Sequence, residues 1–346
     1  MKFRRLVGRA DYLQRHFATI APHLTPLKLA NMALNLAELR YGVAACRSLP
    51  PYVKIEPAQL CQLRCPGCPH SDALYKRQVR DTTFLTLENF KQIVDPVAST
   101  LIGISLSWRG EPMLNKDIAS LIAYAHTRNI GISFPTNFSM PLNQERIETL
   151  AQSHLDALYV SLDGVSPETY SQYRVGGNFN AVLDNVRRLA EARDRAGRRR
   201  PKIVWKFVAF DHNRHELQQV AACYRDLGFD SFEIVLDRNS RSVVDSRKAQ
   251  NRHLLENRKP CYWLWHTMVI GWDGQIAPCC KNLNFGLGNA LRESTRDIWR
   301  SEGYRALRAG FSRDAYGEGM HAHCRECVGL EETGSVGSIP LTIAQG

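Results

Sequence analysis

Glu56-Pro57-Ala58-Gln59-Leu60-Cys61-Gln62-Leu63-Arg64-Cys65-Pro66-Gly67-Cys68-Pro69-His70 is the stretch on which the reading of this chain turns. Three thiolates on one short loop hold three corners of a cubic iron–sulfur cluster and leave the fourth iron without a protein ligand. An open iron binds and reduces a small molecule, whereas a four-cysteine site stores or passes electrons. The preceding Tyr52-Val53-Lys54-Ile55-Glu56 alternates and is rich in β-branched and aromatic residues, which predicts a strand. The loop then leaves the C-terminal end of that strand, where α/β folds put their chemistry. The competing reading is a zinc knuckle with His70 as fourth ligand. Against it, zinc ligands usually come as two separated Cys-x2-Cys pairs.

Outward from the loop, residues 52 to about 236 alternate strand and helix. Candidate strands are 52–56, 101–107, 130–134, 157–162, 203–209 and 231–236, with helical periodicity between them, as in Leu87–Asp95 and Asn180–Ala190. Six strands with intervening helices predict parallel βα units. The strand ends carry polar groups: Ser107-Trp108-Arg109-Gly110-Glu111-Pro112, then Thr136-Asn137, then Ser161-Leu162-Asp163-Gly164. Arg174 follows in Tyr170-Ser171-Gln172-Tyr173-Arg174-Val175-Gly176-Gly177. Such groups suit a polar ligand, and equally suit turns and helix caps.

Four more cysteines lie beyond the repeats: Cys261, Cys279, Cys324 and Cys327. Met268–Pro278 between the first two reads as a hairpin around Asp273-Gly274, which brings Cys279 back towards Cys261. Thr295–Arg300 reads as a capped amphipathic helix. On the residues alone, structural zinc and an iron–sulfur cluster suit two separated thiolate pairs equally. Cys46 and Cys223 read as buried small hydrophobes.

The cysteine loop, with Gly110-Glu111-Pro112 one βα unit later, resembles the radical S-adenosylmethionine (SAM) superfamily. The resemblance implies an α/β fold, a partial (β/α)6 TIM-like barrel. It also implies that Cys61, Cys65 and Cys68 hold a [4Fe–4S] cluster whose open iron is chelated by the methionine part of SAM. Gly110, Glu111 and Pro112 match the segment that accepts hydrogen bonds from the methionine ammonium. Asn137, Ser161 and Asp163 stand at positions comparable to those that bind ribose or the methionine carboxylate, and Arg174 is suited to neutralise that carboxylate. One departure stands out: the residue before the last cysteine is often aromatic and helps hold adenine, and here it is Gly67.

Cys261-x12-Gly274-x4-Cys279 followed by Cys324-x2-Cys327 resembles the SPASM and shorter twitch extensions of the family. That implies one auxiliary [4Fe–4S] cluster, fully ligated by the four thiolates. Cys280 beside it is read as structural or, alternatively, as a hydrogen donor to a substrate radical, as in epimerases of the superfamily. The spacing is especially similar to that of the 2-deoxy-scyllo-inosamine dehydrogenases and covers about residues 50–330; the N-terminal helices lie outside the likeness. The implied function is a radical SAM oxidoreductase or epimerase acting on a carbohydrate, aminocyclitol or similar polar metabolite. Its expected partners are a small polar or anionic substrate and an electron donor such as flavodoxin or ferredoxin. Alternatives are a peptide-modifying maturase, an enzyme for a lipid-linked substrate, and a non-catalytic zinc-stabilised nucleic-acid-binding protein.

Size and composition set the remaining bounds. At 346 residues the expected division is an N-terminal helical segment 1–50, a core barrel 51–240, an auxiliary-cluster domain 241–335 and a tail 336–346. Hydrophobic residues at 44% and charged residues at 23% describe an ordinary globular chain. No apolar run approaches the ~18 residues a membrane span needs, and the basic start Met1–Leu6 lacks the apolar core of a signal peptide. The ten cysteines are therefore expected in a reducing cytoplasm, as metal ligands before disulfides. The formal charge of +11 concentrates at Arg193–Lys202, expected as a solvated loop. No nucleic-acid-binding module is recognisable, so nucleic acid is not an expected partner. Thr25-Pro26 opens a helix whose Leu27, Leu29, Met32, Leu36, Leu39 and Tyr41 are expected to pack against the barrel, with peripheral membrane contact or the gripping of a partner protein as the alternatives.

Overall fold

Alternating apolar and β-branched runs form eight strands: β1 (Tyr52–Ile55), β2 (Gly103–Leu106), β3 (Gly131–Thr136), β4 (Ala157–Ser161), β5 (Lys202–Ala209), β6 (Ser231–Leu236), β7 (Thr267–Ile270) and β8 (Ile276–Ala277). The first six coincide with the six expected strands to within about two residues at most ends. They are seen in a computed structural model that describes residues 20–73, 75, 83–237, 256–280, 286–312, 316–328 and 330. The chain divides into two compact units that are each discontinuous in sequence. One is built from Glu56–Leu87 and Gly103–Ser240 with the segment up to Leu24, the other from Thr25–Ile55, Glu88–Ile102 and the segment from Arg241 onward. Among the described residues no helix is long and apolar enough to cross a membrane.

In the first unit β2 to β6 are parallel neighbours in the order β6-β5-β4-β3-β2. Every second residue of such a strand faces one covering layer, so Phe134, Leu158, Val160, Trp205 and Phe207 are all buried. Helices Ile118–Thr127, Gln144–Gln152 and Phe179–Arg195 bury one apolar stripe each, for example Val182, Val186 and Leu189. Asn143 and Asn178 cap two of them, accepting from the backbone N–H of Arg146 and Ala181. These are the βα repeats of the expected α/β fold.

The basic run Arg193–Lys202 is solvated at Arg195, Arg199 and Lys202, as expected, and departs from that at its other three arginines. Arg193 is buried and donates to Asp230 at 2.6 Å. Arg200 pairs with the buried Asp156, and Arg198 donates to the Ser153 carbonyl at 3.0 Å. Charge in this run is spent on tying a helix end to neighbouring strands.

In the second unit β1 pairs parallel with β7, and β7 turns through Asp273-Gly274 into antiparallel β8. Gly274 has φ +82, which the turn requires and an L side chain resists. Leu264, Trp265, Leu307, Phe311 and Met320 form the core, with Cys46 among them as the expected small hydrophobe.

The helix Pro26–Tyr41 starts and stops as its sequence says, with Thr25 accepting from the Lys28 N–H and Gly42 ending it at φ +66. Its buried face, however, is the polar one, Lys28, Asn31, Asn35 and Glu38; of the residues expected to pack, Leu39 lies against the core and Leu27, Leu29, Leu36 and Tyr41 are exposed. The cause is the returning strand of chain at 47–49, whose backbone needs partners. Glu38 accepts from the N–H groups of Arg47 and Ser48, and Asn31 both donates to the Leu49 carbonyl and accepts from its N–H. Asn35 donates to Ser48 Oγ and to the Trp265 carbonyl while its own carbonyl accepts from His266 Nδ1. A buried backbone segment is satisfied by side chains, and polar residues are drawn inward.

Candidate active site and auxiliary metal centre

The cysteine loop is shaped by Pro66 and Gly67. Cys68 N–H donates to the Cys65 carbonyl at 3.1 Å, and Gly67 between them has φ +74. Proline then glycine at the two central positions is the pattern of a type II turn, where a side chain at the second is strained. Gly67 therefore has a backbone reason to replace the aromatic residue of the family pattern. Cys65 is buried; Cys61 and Cys68 are half-buried. His70 is buried edge-on against Tyr75, with ring centroids 5.1 Å apart.

Burial, then the Glu111 carboxylate, then Cys65 and Cys68 push the Cys61 thiol up to about 12. Burial also raises Cys65, with the Arg174 guanidinium opposing it. Such thiols become thiolates only when a metal takes the proton's place. Two N–H donors stand at the sulfurs: Arg174 Nη1 lies 3.9 Å from Cys65 Sγ and Asn137 Nδ2 lies 3.8 Å from Cys61 Sγ. Three thiols on one short loop with cationic and amide donors at two of the sulfurs fit an anionic iron–sulfur cluster.

The strand ends converge on this loop. Glu111 N–H donates to the Leu60 carbonyl at 2.8 Å, so the segment after β2 lies against the chain entering Cys61. A Cβ on Gly110 would stand 2.0 Å from the Ala58 carbonyl oxygen, so only glycine permits the approach. The buried Glu111 carboxylate accepts from the N–H groups of Met113 at 3.0 Å and Asn137 at 2.7 Å and from the Thr136 hydroxyl. A carboxylate offers about four acceptor positions, so roughly one is left for a ligand. Burial raises its pKa, with those hydrogen bonds and Arg174 working in the opposite direction.

Asp163 follows β4 and is fully buried. It accepts from Arg174 Nε at 2.6 Å and from the Val208 N–H at 2.6 Å, so both oxygens are engaged within the protein. Burial disfavours the Arg174 charge, but Asp163 and then Cys65 outweigh it and hold the group above its ordinary value. Ser161 is buried at the end of β4, and Pro112 begins the short turn after Glu111.

Three positions gain a role here that the sequence reading did not assign. Glu56, the residue before the loop, takes Arg109 in a two-pronged pair at 2.9 and 2.7 Å, joining the start of the loop to the segment containing Gly110. Gln62 donates to Asn137 Oδ1 at 2.9 Å. Asn115 donates to the carbonyls of Pro57 and Leu85. The one signal for the first is that an acid and an arginine each sit just past a strand, at the level where strand ends meet.

The second centre gathers the expected four cysteines. Burial, then Cys327 and Cys279 push the Cys261 thiol up to about 11. Burial, then Cys261, Cys279 and Cys327 push Cys324 up to about 12. Both thiols are raised in part by other cysteines of the set, and this donor chemistry fits a fully ligated cluster. Fully buried Tyr304 packs beside Arg308, whose guanidinium lies 4.9 Å from its ring. Cys280 lies half-buried next to Cys279. Among the described residues no three His, Cys, Asp or Glu side chains converge tightly enough for a single metal ion.

Comparison with known proteins gives two family matches. The radical SAM superfamily matches residues 55–197, and the SPASM iron-sulfur cluster-binding domain matches residues 261–328. A tungsten-containing aldehyde ferredoxin oxidoreductase cofactor-modifying protein of Pyrococcus furiosus is 23% identical over 321 residues, covering 80% of this chain and 86% of the relative. A GTP 3′,8-cyclase of Alkaliphilus metalliredigens is 31% identical over 139 residues, covering 39% of this chain and 42% of the relative. Among solved structures, Streptococcus suis SuiB bound to precursor peptide SuiA superposes with TM-score 0.61 at 17% identity, covering 81% of this chain and 71% of that one. The structure of anSMEcpe with bound AdoMet superposes with TM-score 0.53 at 16% identity, covering 80% and 87%. These likenesses are of fold.

Proposed function

Since the chain belongs to the radical SAM superfamily and carries a SPASM iron–sulfur domain, we propose that it removes hydrogen from a C–H bond of a carbohydrate, aminocyclitol or comparable polar metabolite, ending in oxidation or epimerisation. One electron from the loop cluster, when bound, cleaves SAM to methionine and the 5′-deoxyadenosyl radical that takes the hydrogen. The observation carrying this reading is the three-thiol loop with Glu111, Asn137 and Arg174 drawn against it by hydrogen bonds.

The residues divide the work. Cys61, Cys65 and Cys68 hold the cluster. Arg174, fixed by Asp163, supplies a positive charge beside Cys65 for the methionine carboxylate. Glu111 offers its remaining acceptor position to the ammonium. Glu56 and Arg109 keep the Gly110 segment against the loop, which orients the groups that face a bound ligand. Cys261, Cys279, Cys324 and Cys327 would hold the auxiliary cluster, whose chemistry there would be transfer of the second electron of an oxidation. Flavodoxin or ferredoxin fits as the source of the first.

A second reading, modification of a peptide, draws on the name of one relative, the mycofactocin maturase MftC of Mycolicibacterium smegmatis, 28% identical over 132 residues. The test is anaerobic reconstitution, iron analysis and reaction with SAM and a reductant. About eight irons per chain and 5′-deoxyadenosine support the enzyme. Deuterium transfer into 5′-deoxyadenosine from a labelled sugar or cyclitol, and not from labelled peptide, selects the first substrate class. Bound zinc with no SAM cleavage sinks both. If Cys280 is the hydrogen donor of an epimerisation, solvent deuterium enters the product and Cys280→Ala abolishes that labelling.

A further inference from the structure

The helix Pro26–Tyr41 spends its polar side on the fold and, apart from the half-buried Met32 and Leu39, turns its apolar residues to solvent. Leu27 is 55% exposed, Leu29 51%, Leu36 48% and Tyr41 69%, with Leu34 and several alanines between them. Arg40 is the single charged residue on the exposed side. At the C-terminal end Leu36, Leu39 and Arg40 line a groove of about 590 Å³ with Arg258, Lys259 and half-exposed Tyr262. An apolar helix side rimmed by cations is a surface with an occupant, since large exposed apolar patches are uncommon on chains of ordinary composition.

We infer that this face rests on an anionic lipid surface. The leucines enter the boundary between headgroups and acyl chains, and Arg40, Arg258 and Lys259 meet the negative headgroups. Charge complementarity selects this occupant over a neutral apolar partner. The chain as a whole is basic, at +11. The arrangement differs from an ordinary amphipathic helix, which turns its own polar side to water. Here the polar side is a structural joint, and the cations come from the end of the helix and the neighbouring loop.

The test is co-sedimentation of the anaerobically reconstituted full chain with two kinds of vesicle, phosphatidylcholine alone and phosphatidylcholine mixed with phosphatidylglycerol. We expect binding to the mixed vesicles that weakens as salt is raised. The pair Leu34→Gln and Leu36→Gln should weaken partitioning about a hundredfold while leaving iron content and SAM cleavage unchanged. Arg258→Gln with Lys259→Gln should weaken binding to mixed vesicles and leave any residual binding to neutral ones. No sedimentation overturns the inference, as does binding that survives the leucine changes. A concentration-dependent dimer abolished by the leucine changes overturns it too, assigning the face to a second copy. So does vesicle binding that appears only when residues 1–19 are deleted, which would assign the face to that segment.

Discussion

Arg174 donates through Nε to Asp163 Oδ2 at 2.6 Å while its Nη1 lies 3.9 Å from Cys65 Sγ, so one guanidinium ties the end of β4 to the cysteine loop. Asp163→Asn leaves that guanidinium buried without its counter-charge. Removing one member of a buried pair costs about 3–5 kcal/mol. We expect a loss near the lower end in anaerobic denaturant unfolding, with part of it recovered in the double variant Asp163→Asn with Arg174→Gln. Unchanged stability in the single variant would show that the pair has no net weight.

Gly110 offers a steric test. Gly110→Ala brings a methyl group against the Ala58 carbonyl oxygen at 2.0 Å, and neither backbone has a flexible side chain to yield. The segment bearing Glu111 must then move from the loop. We expect SAM affinity to fall by at least about tenfold and stability by about 1–3 kcal/mol. Equilibrium SAM binding and unfolding measured together separate the two effects, and wild-type affinity would refute the close-approach argument.

His266 gives the second unit a pH dependence. It is buried, donates from Nδ1 to Asn35 Oδ1 at 2.6 Å and lies against the rings of Tyr52 and Tyr262. Burial pushes its pKa from 6.5 down to about 4. A depressed histidine folds neutral, so its contribution is complete above the unfolded value of about 6.5 and is lost as pH falls towards 4. The span corresponds to about 3 kcal/mol. The slope of stability against pH between those values should flatten in His266→Gln; an unchanged slope would assign it to other groups.

Strand positions were legible because alternation and β-branching report burial locally; Tyr52–Ile55 and Ser231–Leu236 needed no knowledge of their neighbours. The cysteines were legible because cluster chemistry demands thiolates at short spacing. The side of the N-terminal helix that faces inward was not. It depends on where residues 47–49 return, and apolar periodicity carries no information about a backbone segment seeking Asn31 and Glu38. Asp163 read as a ligand group from its place after a strand. Its engagement with Val208 and Arg174 depends on two distant segments, one in β5 and one beyond β4. Gly67 was visible as a departure, but its reason is a backbone angle.

The two centres should be separable. Cys324→Ala should lower bound iron from about eight to about four per chain. Because Cys324 belongs to the SPASM segment 261–328 and not to the loop of Cys61, Cys65 and Cys68, SAM binding at the loop should persist. Loss of SAM binding together with the iron would contradict two independent centres.

That variant also permits the most direct measurement. In reduced Cys324→Ala protein the electron paramagnetic resonance signal comes from the Cys61/Cys65/Cys68 centre alone. Adding SAM should shift that signal, and the shift should vanish when Cys65→Ala is introduced into the same protein. A signal indifferent to SAM, or a shift that survives the loss of Cys65, would contradict a cluster with an iron left open for SAM.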